Sequence, residues 1–90
     1  MSQATAHAQL DTDRVVVTEW RFDSGAETGS HSHDRGYVVA PLTPGVLQMV
    51  VDGALGESVL ECGVSYTRSA GVEHNVSNPN NFESRFIEIE

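Results

Sequence analysis

From Arg14 to its end the chain falls into short β-type runs separated by turn residues, and that rhythm restricts the fold more than any other feature. "RVVVTEWRF" (14–22) is rich in β-branched and aromatic residues and ends at "DSG". "YVVAPL" (37–42) stops at "TPG", and "VLQMVVD" (46–52) meets Asp52–Gly53, a dipeptide favoured in two-residue hairpins. "ESVLE" (57–61), "VSYTR" (64–68), "HNVSN" (74–78) and "FESRFIEIE" (82–90) follow, each bounded by glycine, proline or asparagine turns. Seven or eight strands with turn signals every eight to twelve residues predict an all-β sandwich or small barrel. Nothing in the chain sustains a helical period.

Ninety residues make one domain. A chain this small buries only about 60 to 65 % of its unfolded surface, so its stability margin is thin and pairing into a homodimer is expected. Residues 1–13 are small, polar and patternless and read as a mobile N-terminal arm, which leaves 14–90 as the barrel.

Net charge is −8, and all five cations are arginines: Arg14, Arg21, Arg35, Arg68 and Arg85. With no basic cluster, nucleic acid and anionic membranes are excluded as partners. The N-terminus lacks the basic and apolar regions of a secretory leader, and no apolar run approaches the roughly 20 residues that span a bilayer. Cys62 is alone, so no intrachain disulfide can form. These features point to the cytoplasm.

Chemistry concentrates in "GAETGSHSHDRGY" (25–37). In a strand, His31 and His33 project to the same face and can take one ion together, whereas Asp34 faces away. His74, at the start of its own strand, can approach them from a neighbouring one, while His7 lies in the arm. Three imidazole nitrogens with open positions suit a divalent transition metal (Fe, Zn, Ni, Mn or Cu) rather than Ca or Mg. A histidine must be neutral to bind, so occupancy is expected to fall as pH drops below about 6.5. The competing reading is a pair of solvated loop histidines.

At these residues the sequence resembles the cupins. Gly25, five residues, His31-Ser32-His33, three residues and Tyr37 follow the first cupin motif, with its closing glycine displaced by one to Gly45. Gly63, Gly71, His74 and Asn78 match the spacing of the second, with Ser69 in the place of its proline. The resemblance implies a small double-stranded β-helix, or jelly-roll, barrel with His31, His33 and His74 as metal ligands. Wording such as "TEWRF", "GAETG" and "AGVEHNV" is similar to short cupins linked to β-alanine catabolism, which fixes no substrate.

One departure matters: the motif glutamate, usually a fourth ligand, is Tyr37. The resemblance then implies three histidines plus water, as in the three-histidine thiol dioxygenases. Tyr37 becomes either a proton donor beside the ion or a wall residue, and Tyr66 is the second such candidate. A three-histidine ion keeps its full double positive charge, so an anionic or carbonyl-bearing small molecule is the expected ligand. By strand parity Tyr66 and Arg68 face the barrel together; Arg85, with Ile87 and Ile89, is a further candidate for an inward cation. Trp20, Phe22, Leu47 and Met49 read as core, Trp20 and Phe22 alternatively as dimer surface.

Three classes follow: a metal-dependent oxygenase, lyase, isomerase or decarboxylase acting on a small organic acid; a non-catalytic binding module; and a structural barrel with vestigial histidines. Sedimentation at micromolar concentration should show a dimer, and a clean monomer would remove the stability argument for pairing.

Overall fold

The computed structural model describes residues 2–71 and 73–90; Met1 of the expected arm and Val72 of "AGVEHNV" lie outside them. Nine strands form: β1 (Thr5–Asp11), β2 (Val16–Phe22), β3 (His31–Ser32), β4 (Tyr37–Pro41), β5 (Gly45–Val51), β6 (Ala54–Leu60), β7 (Tyr66–Arg68), β8 (Glu73–Ser77) and β9 (Ser84–Ile89). A five-stranded sheet, ordered β1-β2-β9-β4-β7, faces a four-stranded one ordered β3-β8-β5-β6, and every pairing of named strands is antiparallel. The fold is the all-β jelly roll expected. Among the described residues no helix is long and apolar enough to cross a membrane.

Strand alternation builds the core. Phe22, Val39, Leu47, Leu60, Val76 and Phe86 point between the sheets and are buried, with Met49 packed against them. Phe22 and Phe86 stack at 5.7 Å between ring centroids, an arrangement that adds to their area burial. The β5–β6 hairpin turns at Asp52 and Gly53, with φ of 50° and 79°, as a two-residue turn of the mirror-image type demands.

The segment read as a patternless arm instead carries β1, paired to β2 from Thr5↔Arg21 to Asp11↔Val16 with a bulge between Ala8 and Leu10. Every residue of β1 is exposed, so no apolar alternation marks it in the sequence; backbone pairing holds it at the sheet edge. Just before it, Ala4 is buried in the core and its N–H donates to the Glu27 carbonyl at 2.9 Å.

Asn78 ties the ends of three segments together. It is 1 % exposed, and its Nδ2 donates to the carbonyls of Phe22 (3.0 Å), Asp23 (3.3 Å) and Phe82 (2.8 Å). Its Oδ1 accepts from the backbone N–H of Asn80 at 2.9 Å and from Asn80 Nδ2 at 2.7 Å. Asn80 Nδ2 donates in turn to the Val46 carbonyl at 2.7 Å. The displaced motif glycine, Gly45, has a φ of 125°, and a Cβ there would stand 2.9 Å from Asn80 Oδ1. Only glycine fits.

Replacing Asn78 by alanine leaves buried carbonyls without donors. Unfolding in urea should show a loss of about 2–3 kcal/mol; a change under about 0.5 kcal/mol would mean that water or a repacked loop replaces the network.

Candidate metal centre

His31 and His74 sit directly opposite each other on β3 and β8. Side chains so paired point the same way a few ångströms apart, and the two Nε2 atoms meet at 3.1 Å. His33 lies beyond the end of β3. Its carbonyl accepts the Gly71 N–H at 2.8 Å, which joins the two glycine-marked loops. Its ring packs 4.1 Å from that of Tyr37 on the facing sheet. One nitrogen from each of His31, His33 and His74 lies within 4.8 Å of the others.

The outer nitrogens settle which atoms face inward. Nδ1 of His31 is 2.9 Å from the Gly29 carbonyl, which can only accept, so Nδ1 carries the proton and Nε2 offers its lone pair. Nδ1 of His33 meets Glu90 Oε2 at 2.9 Å and stands 3.2 Å from Glu88 Oε1, which leaves its Nε2 for the centre. Metal-binding histidines are held in this way, by an acceptor on the outer nitrogen. A three-nitrogen donor set of this kind suits a transition metal.

The histidines open on a cavity of about 30 Å³, enough for an ion with a water-sized ligand. Tyr37, Tyr66, Arg68, Trp20 and Glu88 share its wall with the core residues Val39 and Phe86. Trp20, His33 and Glu88 also border an open groove of about 280 Å³ beside β1.

Strand register explains the wall. On the inner face of the large sheet one row runs Thr18–Glu88–Val39–Tyr66 across β2, β9, β4 and β7. Tyr37 and Arg68 pair in the adjacent row. Tyr66 and Arg68 therefore face the barrel together, as their parity predicts, with the guanidinium 4.4 Å over the phenol ring and donating to Ser58 Oγ at 2.7 Å.

Burial pushes the Tyr37 phenol up to about 12, with the nearby Glu88 carboxylate adding to it against Arg68. Burial raises Tyr66 as well, against the pull of Arg68. Both phenols thus keep their protons at neutral pH in the metal-free chain, so Tyr37 offers an O–H rather than an anionic ligand.

β9 corrects two expectations. Arg85 does not enter the barrel: it shares the outer face with Ile87 and Ile89 and pairs with Glu19 at 2.6 Å. The inward residues are Ser84, Phe86 and Glu88. The site is consequently not free of carboxylates, since Glu88 and Glu90 stand behind His33. The apolar-in rule misassigned this strand because its outer face carries isoleucines; the parity of Glu88 with the aromatic Phe86 was the usable signal.

Burial pushes the Glu88 carboxyl up, opposed by the Trp20 N–H that donates to Oε2 and by His33. Burial lowers His74 from 6.5 to about 4, and the neighbouring His31 and His33 add to the shift.

Comparison with known proteins places the chain in a clear setting. No family model matches it. The β-alanine degradation protein BauB of Pseudomonas aeruginosa is 48 % identical over 88 residues, which cover 98 % of this chain and 93 % of that protein. A cupin domain from Bordetella pertussis superposes with a TM-score of 0.96 at 50 % identity, over 99 % of this chain and 93 % of that one. A double-stranded β-helix protein from Klebsiella pneumoniae shares the fold at 21 % identity, with a TM-score of 0.78 over 97 % of this chain and 75 % of its own.

His74 yields a pH prediction. Between about pH 4 and 6.5 the unfolded chain holds a proton at His74 that the folded chain does not, so this group withdraws stability as pH falls through that window. Glu88, with its pKa raised, acts in the opposite sense. The direct check is a nitrogen-15 titration of the metal-free protein: the His74 ring should keep neutral-imidazole shifts at pH 5.5 and change only near 4. A midpoint near 6.5 would show that the ring is solvated.

Proposed function

Because the chain belongs to the cupin family and brings three imidazole nitrogens to one point in its barrel, we propose that it is a metal-dependent enzyme acting on a small organic acid or carbonyl compound. His31, His33 and His74 hold the divalent transition metal. The observation that carries this reading is the convergence itself: three nitrogens within 4.8 Å of one another, two of their rings tied by Nδ1 to acceptors outside the cluster. The ion, when bound, supplies a Lewis acid for an oxygen of the ligand.

The rest of the wall supports the substrate class. Arg68 is a fixed cation facing the cavity and matches a carboxylate. Tyr37 and Tyr66 retain protons that they can donate to a bound oxygen. Only the reacting end of such an acid has to enter the cavity of about 30 Å³. BauB is a β-alanine degradation protein, and at 48 % identity we place this chain in the breakdown of a short amino acid or its products. A cytoplasmic location and a homodimeric assembly belong to the same proposal.

The small cavity favours one second reading, a non-catalytic module that binds a metal and a water-sized ligand.

Elemental analysis of protein purified without a metal-affinity tag should find about one transition metal per chain. His31→Ala and His74→Ala should lose it, and Tyr37→Phe should keep it. Absence of metal in the unaltered protein, or retention in His74→Ala, sinks the assignment. A redox-active ion would favour oxygenase chemistry and zinc a non-redox reaction.

A further inference from the structure

The three imidazoles are not held alike. His31 gives its Nδ1 proton to a neutral backbone carbonyl, that of Gly29. His33 gives its own to Glu90 at 2.9 Å, with Glu88 alongside at 3.2 Å. The second Glu88 oxygen accepts the Trp20 indole N–H. Glu88 thus has one oxygen beside the His33 ring nitrogen and the other on the Trp20 indole N–H. Its side chain is 10 % exposed and that of His33 13 %, so solvent screens their interaction poorly. His33 needs such a hold, because it lies past the end of β3 and no strand register orients its ring.

Resting on the three-histidine reading above, we propose that Glu88 and Glu90 position His33 and offset the charge of its ion. The metal end of the cavity then discriminates against anions and leaves an acid's carboxylate to Arg68.

Charge and register both lead there. Three neutral imidazoles leave a divalent ion its full double charge; two carboxylates one imidazole away bring the local sum close to zero. Glu88 and Glu90 lie on β9 and at its end, whereas Arg68 lies on β7, with Tyr37 and Val39 of β4 between them. Two strand spacings separate acid from base, roughly 10 Å. A ligand with a carboxylate at one end and a neutral or cationic group at the other fits this polarity in one orientation only. The expectation of an anion drawn to an uncompensated ion is thereby reversed at the metal and kept at Arg68.

Cobalt(II), followed by its visible absorption, and azide, as the probe anion, test the proposal without a substrate. The variant is Glu88→Gln with Glu90→Gln, which keeps an acceptor for Trp20. Glu57→Gln with Glu61→Gln, on exposed residues, makes the same change in net charge away from the site. The site variant should bind cobalt about ten- to a hundredfold more weakly. Once loaded, it should bind azide on the order of tenfold more tightly, and the control should match the unaltered protein in both.

Unchanged cobalt and azide affinities overturn the proposal. So does weaker cobalt binding without tighter azide binding, since a merely structural role would produce that. If the double variant does not fold, Glu90→Gln alone, at a side chain 28 % exposed, carries the same comparison. Failure of the unaltered protein to take up cobalt, or uptake undiminished in His74→Ala, would instead overturn the metal reading beneath it.

Discussion

The cross-strand pairing of His31 with His74 is the contact on which the rest of the site depends. Two strands in antiparallel register bring opposed side chains within reach, and here that register closes two Nε2 atoms to 3.1 Å. The third histidine, His33, comes two residues after His31, where the chain has already left β3. The Gly71 N–H catches the His33 carbonyl, and the ring swings against Tyr37 to lie 5.0 Å from that of His31 and 5.5 Å from that of His74. The site thus spans both sheets, and each fixes a different part of it.

The large sheet supplies the electrostatics. Its inner face carries Glu88 on β9 and Arg68 on β7, separated by Tyr37 and Val39 of β4. Burial favours the neutral form of Tyr37 and Glu88 there, and of His74 on β8 across the cavity. Specific partners then oppose it at chosen points, as the Trp20 N–H does at Glu88. A neutral His74 beside a carboxylate-backed His33 could hold a cation, and the protonated phenols offer donors beside it.

The strands with apolar alternation were legible because one face had to be buried: β2, β4 and β5 appear within two residues of where composition and turns put them. The hairpin at Asp52–Gly53 was legible because few other dipeptides accept two positive φ angles. β1 was not, since all seven of its residues are exposed and its pairing is made by backbone alone. Within the site the three histidines could be found from spacing, and so could the inward pair Tyr66 and Arg68. Glu88 and Glu90 were hidden because β9 alternates isoleucine with charge, and the polar residues of that alternation are the ones turned inward.

Spacing by itself determined the strand rhythm, the glycine turns and which histidines share a face, because each depends on one residue's backbone freedom or on a period of two. Tertiary structure decided everything that needs two strands at once. It chose the face of β9, placed two carboxylates behind His33, and set the size of the cavity. Those outcomes follow from register between segments as far apart as His33 and Glu90. Register is a property of the whole barrel closing, since a slip of one residue would turn Glu88 outward and bring Ile87 or Ile89 in.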